Sequence, residues 1–150
     1  MINLRNVAKE RLEAGEIAIG IGLRQARTVD IGKAMRTAGY DFLFIDMEHN
    51  SMSIDTAAQI SVAAQDAGIT PLVRVPGPEP FHASRALDAG AQGIVVPHVD
   101  TPEIAARMVA QCRYPPHATA RSPARCRSST SEAIRSRSGP RRSIGRRCSC

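Results

Sequence analysis

Tryptophan is absent from this 150-residue chain, which holds only three phenylalanines and two tyrosines. No apolar run approaches the ~20 residues a membrane helix needs. No cationic start leads into an apolar core and a small-residue cleavage site, so no secretory signal is read. Cysteine is sparse as well: Cys126, Cys148 and Cys150 lie in the last 34 residues, which leaves Cys112 alone in the remainder. Cys148-Ser149-Cys150 has no second Cys/His pair at zinc-finger spacing, so neither a disulfide framework nor a metal knot is read. These absences exclude a membrane span, a collagen-like chain and a secreted disulfide miniprotein. The cytoplasm is the expected compartment.

Charge is divided unevenly. Residues 1–116 carry 11 Lys+Arg against 13 Asp+Glu, whereas residues 117–150 carry nine Arg against the single Glu132. The net +6 and the isoelectric point near 9.8 therefore belong wholly to the end of the chain. That end has no Leu, Val, Phe, Tyr or Met, and eight Ser with nine Arg make half of it. It lacks the apolar surface to offset the entropy of ordering. The expected organisation is a globular part over 1–117 and a disordered Arg/Ser-rich tail over 118–150.

The globular part repeats. Ala38-Gly39, Ala67-Gly68 and Ala89-Gly90 each stand just before an apolar run, at Phe42–Ile45, Pro71–Val75 and Gly93–Val96. With an earlier run over Ile17–Leu23, the spacing is roughly 22 to 29 residues, one strand plus one crossover helix. Between the runs the period turns helical: Ile31, Met35 and Ala38 share a face, as do Ile104, Met108 and Cys112 after the Thr101-Pro102-Glu103 start. Leu4, Val7, Ala8 and Leu12 predict a helix ahead of the first strand, closed by Gly15. The strands read as continuous apolar runs, which fits a parallel sheet covered on both faces. The expected fold class is α/β: an N-terminal helix and about four βα units, either half of a (β/α)8 barrel or a doubly wound sheet.

In such folds functional groups gather at the carboxyl ends of strands. There the chain offers Asp46, Glu48 and His49, then Arg74, then His98. A carboxylate–imidazole pair can serve as general base, and an arginine can hold an anion or an enolate oxygen. The competing readings are a solvated loop for Asp46–His49 and a purely structural role for Arg74, which inside an apolar strand needs a partner in any case. His98 reads as a rim residue without chemistry, and His82 and His117 as exposed and inert.

Five runs then occur in order: Asp46-Met47-Glu48-His49, Pro71-Leu72-Val73-Arg74, Leu87-Asp88-Ala89-Gly90, Val96-Pro97-His98-Val99 and Arg113-Tyr114-Pro115-Pro116. Together they make residues 1 to about 117 resemble the N-terminal half of the metal-dependent 2-keto-3-deoxy-sugar-acid and hydroxy-ketoacid aldolases, in the HpcH/HpaI-type aldolase/citrate lyase family. The resemblance implies half of a (β/α)8 TIM barrel and a lyase that cleaves a keto acid to pyruvate and an aldehyde. It implies a divalent cation (Mg2+, Mn2+ or Co2+) that stabilises the enolate, and a homo-oligomer. By the same resemblance His49 matches the catalytic base and Arg74 the residue on the keto oxygen. Asp46 and Glu48 join Arg74 around the substrate, and Asp88 matches the carboxylate paired with the histidine. Asp88 precedes the fourth strand and so falls toward the opposite rim of one barrel; a contact between subunits would bring it back. Lysine fits this route: Lys9 and Lys33 both sit in helical segments, leaving no rim lysine for a Schiff base.

The chain departs from the family twice. Met47 stands where many members carry glycine, beside the reactive loop. The family's metal carboxylates lie beyond Pro116, where this chain supplies only Glu132, so the 150-residue chain is expected to bind no metal and to be inactive. The break has a proposed origin. Restoring one base ahead of a permissible codon set for Ala118–Arg125 yields Gly-His-Arg-Ser-Val-Ala-Gly-Pro, which resumes the family pattern. Residues from about 118 onward are expected to be an out-of-frame reading of a GC-rich gene. Sequencing the DNA across codons 115–125 tests this: a missing base is expected, and an intact frame contradicts it.

The sequence leaves room for other functions. A citrate-lyase-like cleavage of an acyl-CoA thioester stays within the family, but the Asp-x-Glu-His and Tyr-Pro-Pro runs favour the aldolase branch. Binding of nucleic acid through the Arg/Ser tail would be salt-sensitive and non-specific, since no aromatic side chain there can stack on bases. No glycine-rich phosphate loop is present in 1–116, as Gly20-Ile21-Gly22 lacks the third glycine.

Overall fold

The computed structural model describes residues 5–113. The boundary at 117, the Arg/Ser tail, Leu4 and three of the four cysteines lie outside the described residues. Nine elements follow one another: α1 (Val7–Glu13), β1 (Gly20–Leu23), α2 (Ile31–Thr37), β2 (Phe42–Asp46), α3 (Ile54–Asp66), β3 (Thr70–Arg74), α4 (Pro80–Asp88), β4 (Gly93–Val95) and α5 (Pro102–Cys112). The four strands are parallel and neighbour one another in chain order, β1-β2-β3-β4. Consecutive order with a helix at every crossover is the build of an eight-stranded barrel rather than of a doubly wound sheet, whose order reverses.

Strand alternation sorts the side chains. Leu43, Ile45 and Val73 point to the helices and join Ile60, Ala64 and Ala86 in one core cluster, the first three of them at most 1% exposed. Phe42, Phe44, Leu72 and Arg74 take the other face and stay half-buried. Helix α3 shows how the layer is made. Ser53 caps it by accepting the Thr56 N–H at 3.1 Å, and Ala57, Ile60, Ser61 and Ala64 form its buried stripe. The buried Ser61 hydroxyl satisfies itself on the Ala57 carbonyl at 2.7 Å. Gly68, at φ 73°, ends the helix and lets Ile69 N–H reach back to Ala64 O at 3.0 Å. At Gly32 the α2–α3 approach is close enough that an added Cβ would lie 3.0 Å from Ala64 Cα.

Two strands are shorter than their apolar runs. Strand β1 begins at Gly20, whose register partner Phe42 opens β2; Ile17 and Ile19 stay exposed, although the Ile19 carbonyl still accepts the Asp41 N–H at 2.7 Å and its N–H donates to Asp41 Oδ2 at 2.9 Å. Strand β4 stops at Val95, the residue paired with the last of β3.

Helix α1 closes the amino-terminal ends of the strands. The buried Thr70 hydroxyl accepts the Ala8 N–H at 3.1 Å and donates to Asn6 Oδ1 at 3.2 Å, while Asn6 Oδ1 also caps α1 through the Lys9 N–H at 2.9 Å. The opposite, carboxyl-terminal rim is left for the site. Among the described residues no helix is long and apolar enough to cross a membrane.

Candidate functional site

Asp46 and Arg74 are the last residues of β2 and β3, and they are register partners. Paired positions on neighbouring parallel strands present their side chains on one face, so the two meet at the rim. Arg74 grips Asp46 as a fork, Nε to Oδ1 at 3.0 Å and Nη2 to Oδ2 at 2.6 Å. The guanidinium lies 5.6 Å above the Phe44 ring, which pins it from below. The hydrogen bond from Arg74 is the main reason that the Asp46 carboxyl is held down at about 2, with amide hydrogen bonds from His49 and Glu48 adding to it against the cost of burial. The reciprocal effect of Asp46 raises Arg74 above the usual arginine value.

Asp46 also builds the loop that follows. Its Oδ1 accepts the backbone N–H of Glu48 at 2.9 Å and of His49 at 3.3 Å, and its carbonyl accepts from the Asn50 side chain. This is an Asx-type turn, in which the side chain replaces the strand's next ladder partner. Asn50 Oδ1 in turn accepts the Met52 N–H at 2.7 Å. Asp46 is 3% exposed and has both oxygens committed, so it faces the loop and Arg74 rather than the open rim.

Glu48 is the hub of the rim. Its Oε2 sits 3.0 Å from Arg74 Nη1 and 3.5 Å from His49 Nε2, and its Oε1 lies 2.9 Å from His98 Nε2. The Glu48 side chain is only 8% exposed, whereas the two imidazoles flanking it are mostly exposed. The His98 imidazole is thus held against the Glu48 carboxylate from across the rim. His98 reaches this position with φ 55°, the only non-glycine residue in the left-handed region among the described residues. The sequence placed His98 at the rim without chemistry; the structure ties it to Glu48. The available signal was its distance past β4, three residues beyond Val95, where a chain leaving the sheet turns back across the rim.

The other nominated residues lie elsewhere. Asp88 ends α4, at the amino-terminal side of the strands, beside Val62, Gln65 and Gly90 on the outer helical surface. It is not brought near His49 within the chain. Met47 points away from the rim into the helix-side core at 7% exposure, because alternation continues one residue past the strand and its N–H bonds the Arg74 carbonyl at 2.9 Å. His82 is half-buried rather than exposed.

A divalent cation does not fit the described donors. No three His, Cys, Asp or Glu side chains among them converge as metal ligands. Arg74 already occupies the space between the two rim carboxylates, and a second cation there would face like charge. What this arrangement can do is present a fixed guanidinium to an oxyanion: Asp46 takes Nε and Nη2, and Glu48 is ion-paired to Nη1, which leaves the fork held in one orientation at the rim.

Residues 25–135 match the protein family described as HpcH/HpaI aldolase/citrate lyase. A 4-hydroxy-4-methyl-2-oxoglutarate aldolase of Hapsidospora irregularis is 36% identical over 118 residues, covering 78% of this chain and 44% of that protein. A 2-keto-3-deoxy-L-rhamnonate aldolase of Escherichia coli K12 is 40% identical over 116 residues, covering 76% of this chain and 42% of that protein. Among solved structures, an HpcH/HpaI aldolase from Desulfitobacterium hafniense DCB-2 superposes with a TM-score of 0.72 at 30% identity, over 77% of this chain and 44% of that one. The chain thus spans less than half the length of the relatives it matches, and its four βα units are the corresponding half of their barrel. Since the match runs through β2, β3 and β4 and the rim they build, the chain belongs to the HpcH/HpaI aldolase/citrate lyase family.

Proposed function

We propose that this rim takes up the keto-acid end of a 4-hydroxy-2-keto or 2-keto-3-deoxy acid for retro-aldol cleavage to pyruvate and an aldehyde. The observation that carries the reading is the Arg74 guanidinium, held at the strand end by its register partner Asp46. In the reaction His49 withdraws the proton of the C4 hydroxyl, the C3–C4 bond breaks and the aldehyde leaves. The electron pair moves onto the C2 oxygen, and protonation of the resulting enolate at C3 gives pyruvate. Arg74 faces the negative charge that develops on that oxygen, the point at which a fixed donor contributes about 3–4 kcal/mol. Asp46 positions Arg74 and the loop. Glu48 holds His49 and His98 on either side of the entry. Asp88 joins such a site only through a second copy of the chain.

The relatives named as aldolases favour this reading over cleavage of an acyl-CoA thioester. The described donors do not hold the cation that the family implies; its ligands would come from the part of the barrel that a restored frame supplies, where it would stabilise the enolate oxygen. With Mg2+, Mn2+ or Co2+ present, the 150-residue chain is expected to release pyruvate from 2-keto-3-deoxy-L-rhamnonate at close to the uncatalysed rate. A chain continued through the restored frame is expected to show chelator-sensitive turnover that Arg74→Met lowers about 10²–10³-fold. A restored chain without turnover, or one indifferent to Arg74→Met, would overturn the proposal.

A further inference from the structure

Met47 and His82 are singled out by the sequence and have no part in the rim, yet they meet in one place. On the helix side of the sheet, Met47, Met52, Ile54, Pro76, His82 and Arg85 line a cavity of about 200 Å³. We propose that this cavity binds a small aliphatic monocarboxylate, with its hydrocarbon against Met47, Met52, Ile54 and Pro76 and its carboxylate on Arg85 and His82.

The lining divides by chemistry. Four residues offer only apolar surface, and the two charged or titratable ones can carry only positive charge. His82 and Arg85 stand three apart on α4 and so share a face of that helix. Among the described residues that line the cavity none is acidic. Glu79 Oε2 is 4.0 Å from His82 Nε2 on a side chain that is 57% exposed, a loose contact that a ligand carboxylate displaces. Arginine presents a planar fork matched to a carboxylate, which sets the orientation of the ligand.

Size limits the hydrocarbon. An apolar cavity of about 150 Å³ accepts benzene, so about 200 Å³ suits a ligand of roughly seven heavy atoms. The floor is methionine, which adapts to the shape of what it covers. The ligand would be felt at the rim: Met47 lies between Asp46 and Glu48, and its N–H holds the Arg74 carbonyl at 2.9 Å.

The test is a titration of the full chain, carrying ¹³C-methyl methionine, with pentanoate, followed by NMR; Met47→Leu and Met52→Leu assign the two resonances. Both methyl signals are expected to shift and saturate with a dissociation constant on the order of 1 mM. Pentan-1-ol supplies the hydrocarbon alone and inorganic phosphate the anion alone, and each is expected to bind at least tenfold more weakly. Arg85 is exposed, so Arg85→Gln should leave the melting temperature unchanged while weakening pentanoate at least tenfold. Unsaturable shifts, pentan-1-ol binding as tightly as pentanoate, or unaltered affinity in Arg85→Gln would each overturn the proposal.

Discussion

Replacing Leu43 by alanine is expected to cost about 3–4 kcal/mol, a large part of the 5–15 kcal/mol that a domain of this kind has in total. Leu43 is fully buried between the sheet and the helices, with Ile60 and Ala64 in the same cluster, so truncation leaves a cavity that cannot collapse. The comparison that gives this value its meaning is Leu72→Ala. Leu72 sits on the neighbouring strand, paired with Phe44, but on the opposite face and only half-buried. Its loss is expected to cost about 1 kcal/mol, in proportion to the smaller area removed from water. Urea unfolding of both variants measures the difference. Equal costs would mean that the helix side is not the core.

Asp46→Asn is expected to destabilise the chain by about 3 kcal/mol, although it changes one atom. If the amide oxygen keeps the Glu48 and His49 N–H bonds, the amide nitrogen is turned toward Arg74 Nη2, and a 2.6 Å charge-assisted bond becomes two donors facing each other. A half-buried guanidinium then loses its bidentate carboxylate and keeps only Glu48, 3.0 Å from Nη1. The effect has a pH signature whose sign follows from the lowered carboxyl. Because Asp46 is held at about 2 against an ordinary value of 3.8, its contribution is complete above about pH 4 and is lost as pH falls through 2. The stability gap between the wild-type chain and Asp46→Asn should therefore be constant from pH 7 to 4 and close between pH 4 and 2. A gap that persists at pH 2 would show that the carboxylate charge is not what Arg74 requires.

Much of the architecture was legible because it is local. The Ala-Gly pairs end helices, the apolar runs give strands, and their spacing makes each crossover a helix, so the βα order could be read residue by residue. The β1 start could not, since it depends on where Phe42 begins a neighbouring strand rather than on Ile17 or Ile19 themselves. The site divides in the same way. Asp46, Glu48, His49 and Arg74 fall at strand ends in the sequence and meet in space. What they do to one another was hidden: nothing in Asp46-Met47-Glu48-His49 says that the first carboxylate is consumed by two amides and a guanidinium, or that the second gathers both imidazoles. His98 was undervalued because its bond to Glu48 spans fifty positions and rests on a left-handed backbone. The direction of Met47 was not legible either: strand alternation persists beyond the last ladder residue and turns it toward the helix side.

The account turns on Arg74 as a clamp for the planar oxygens of a keto acid, and binding of oxalate, a planar mimic of the pyruvate enolate, tests it most directly. Followed by the side-chain Nε–H resonance of Arg74, an oxalate titration of the 150-residue chain is expected to saturate on the order of 1 mM. Affinity should fall at least tenfold in Arg74→Met and remain unchanged in Arg85→Gln. Oxalate that binds the Arg74→Met chain as tightly as the parent would contradict the account at its centre.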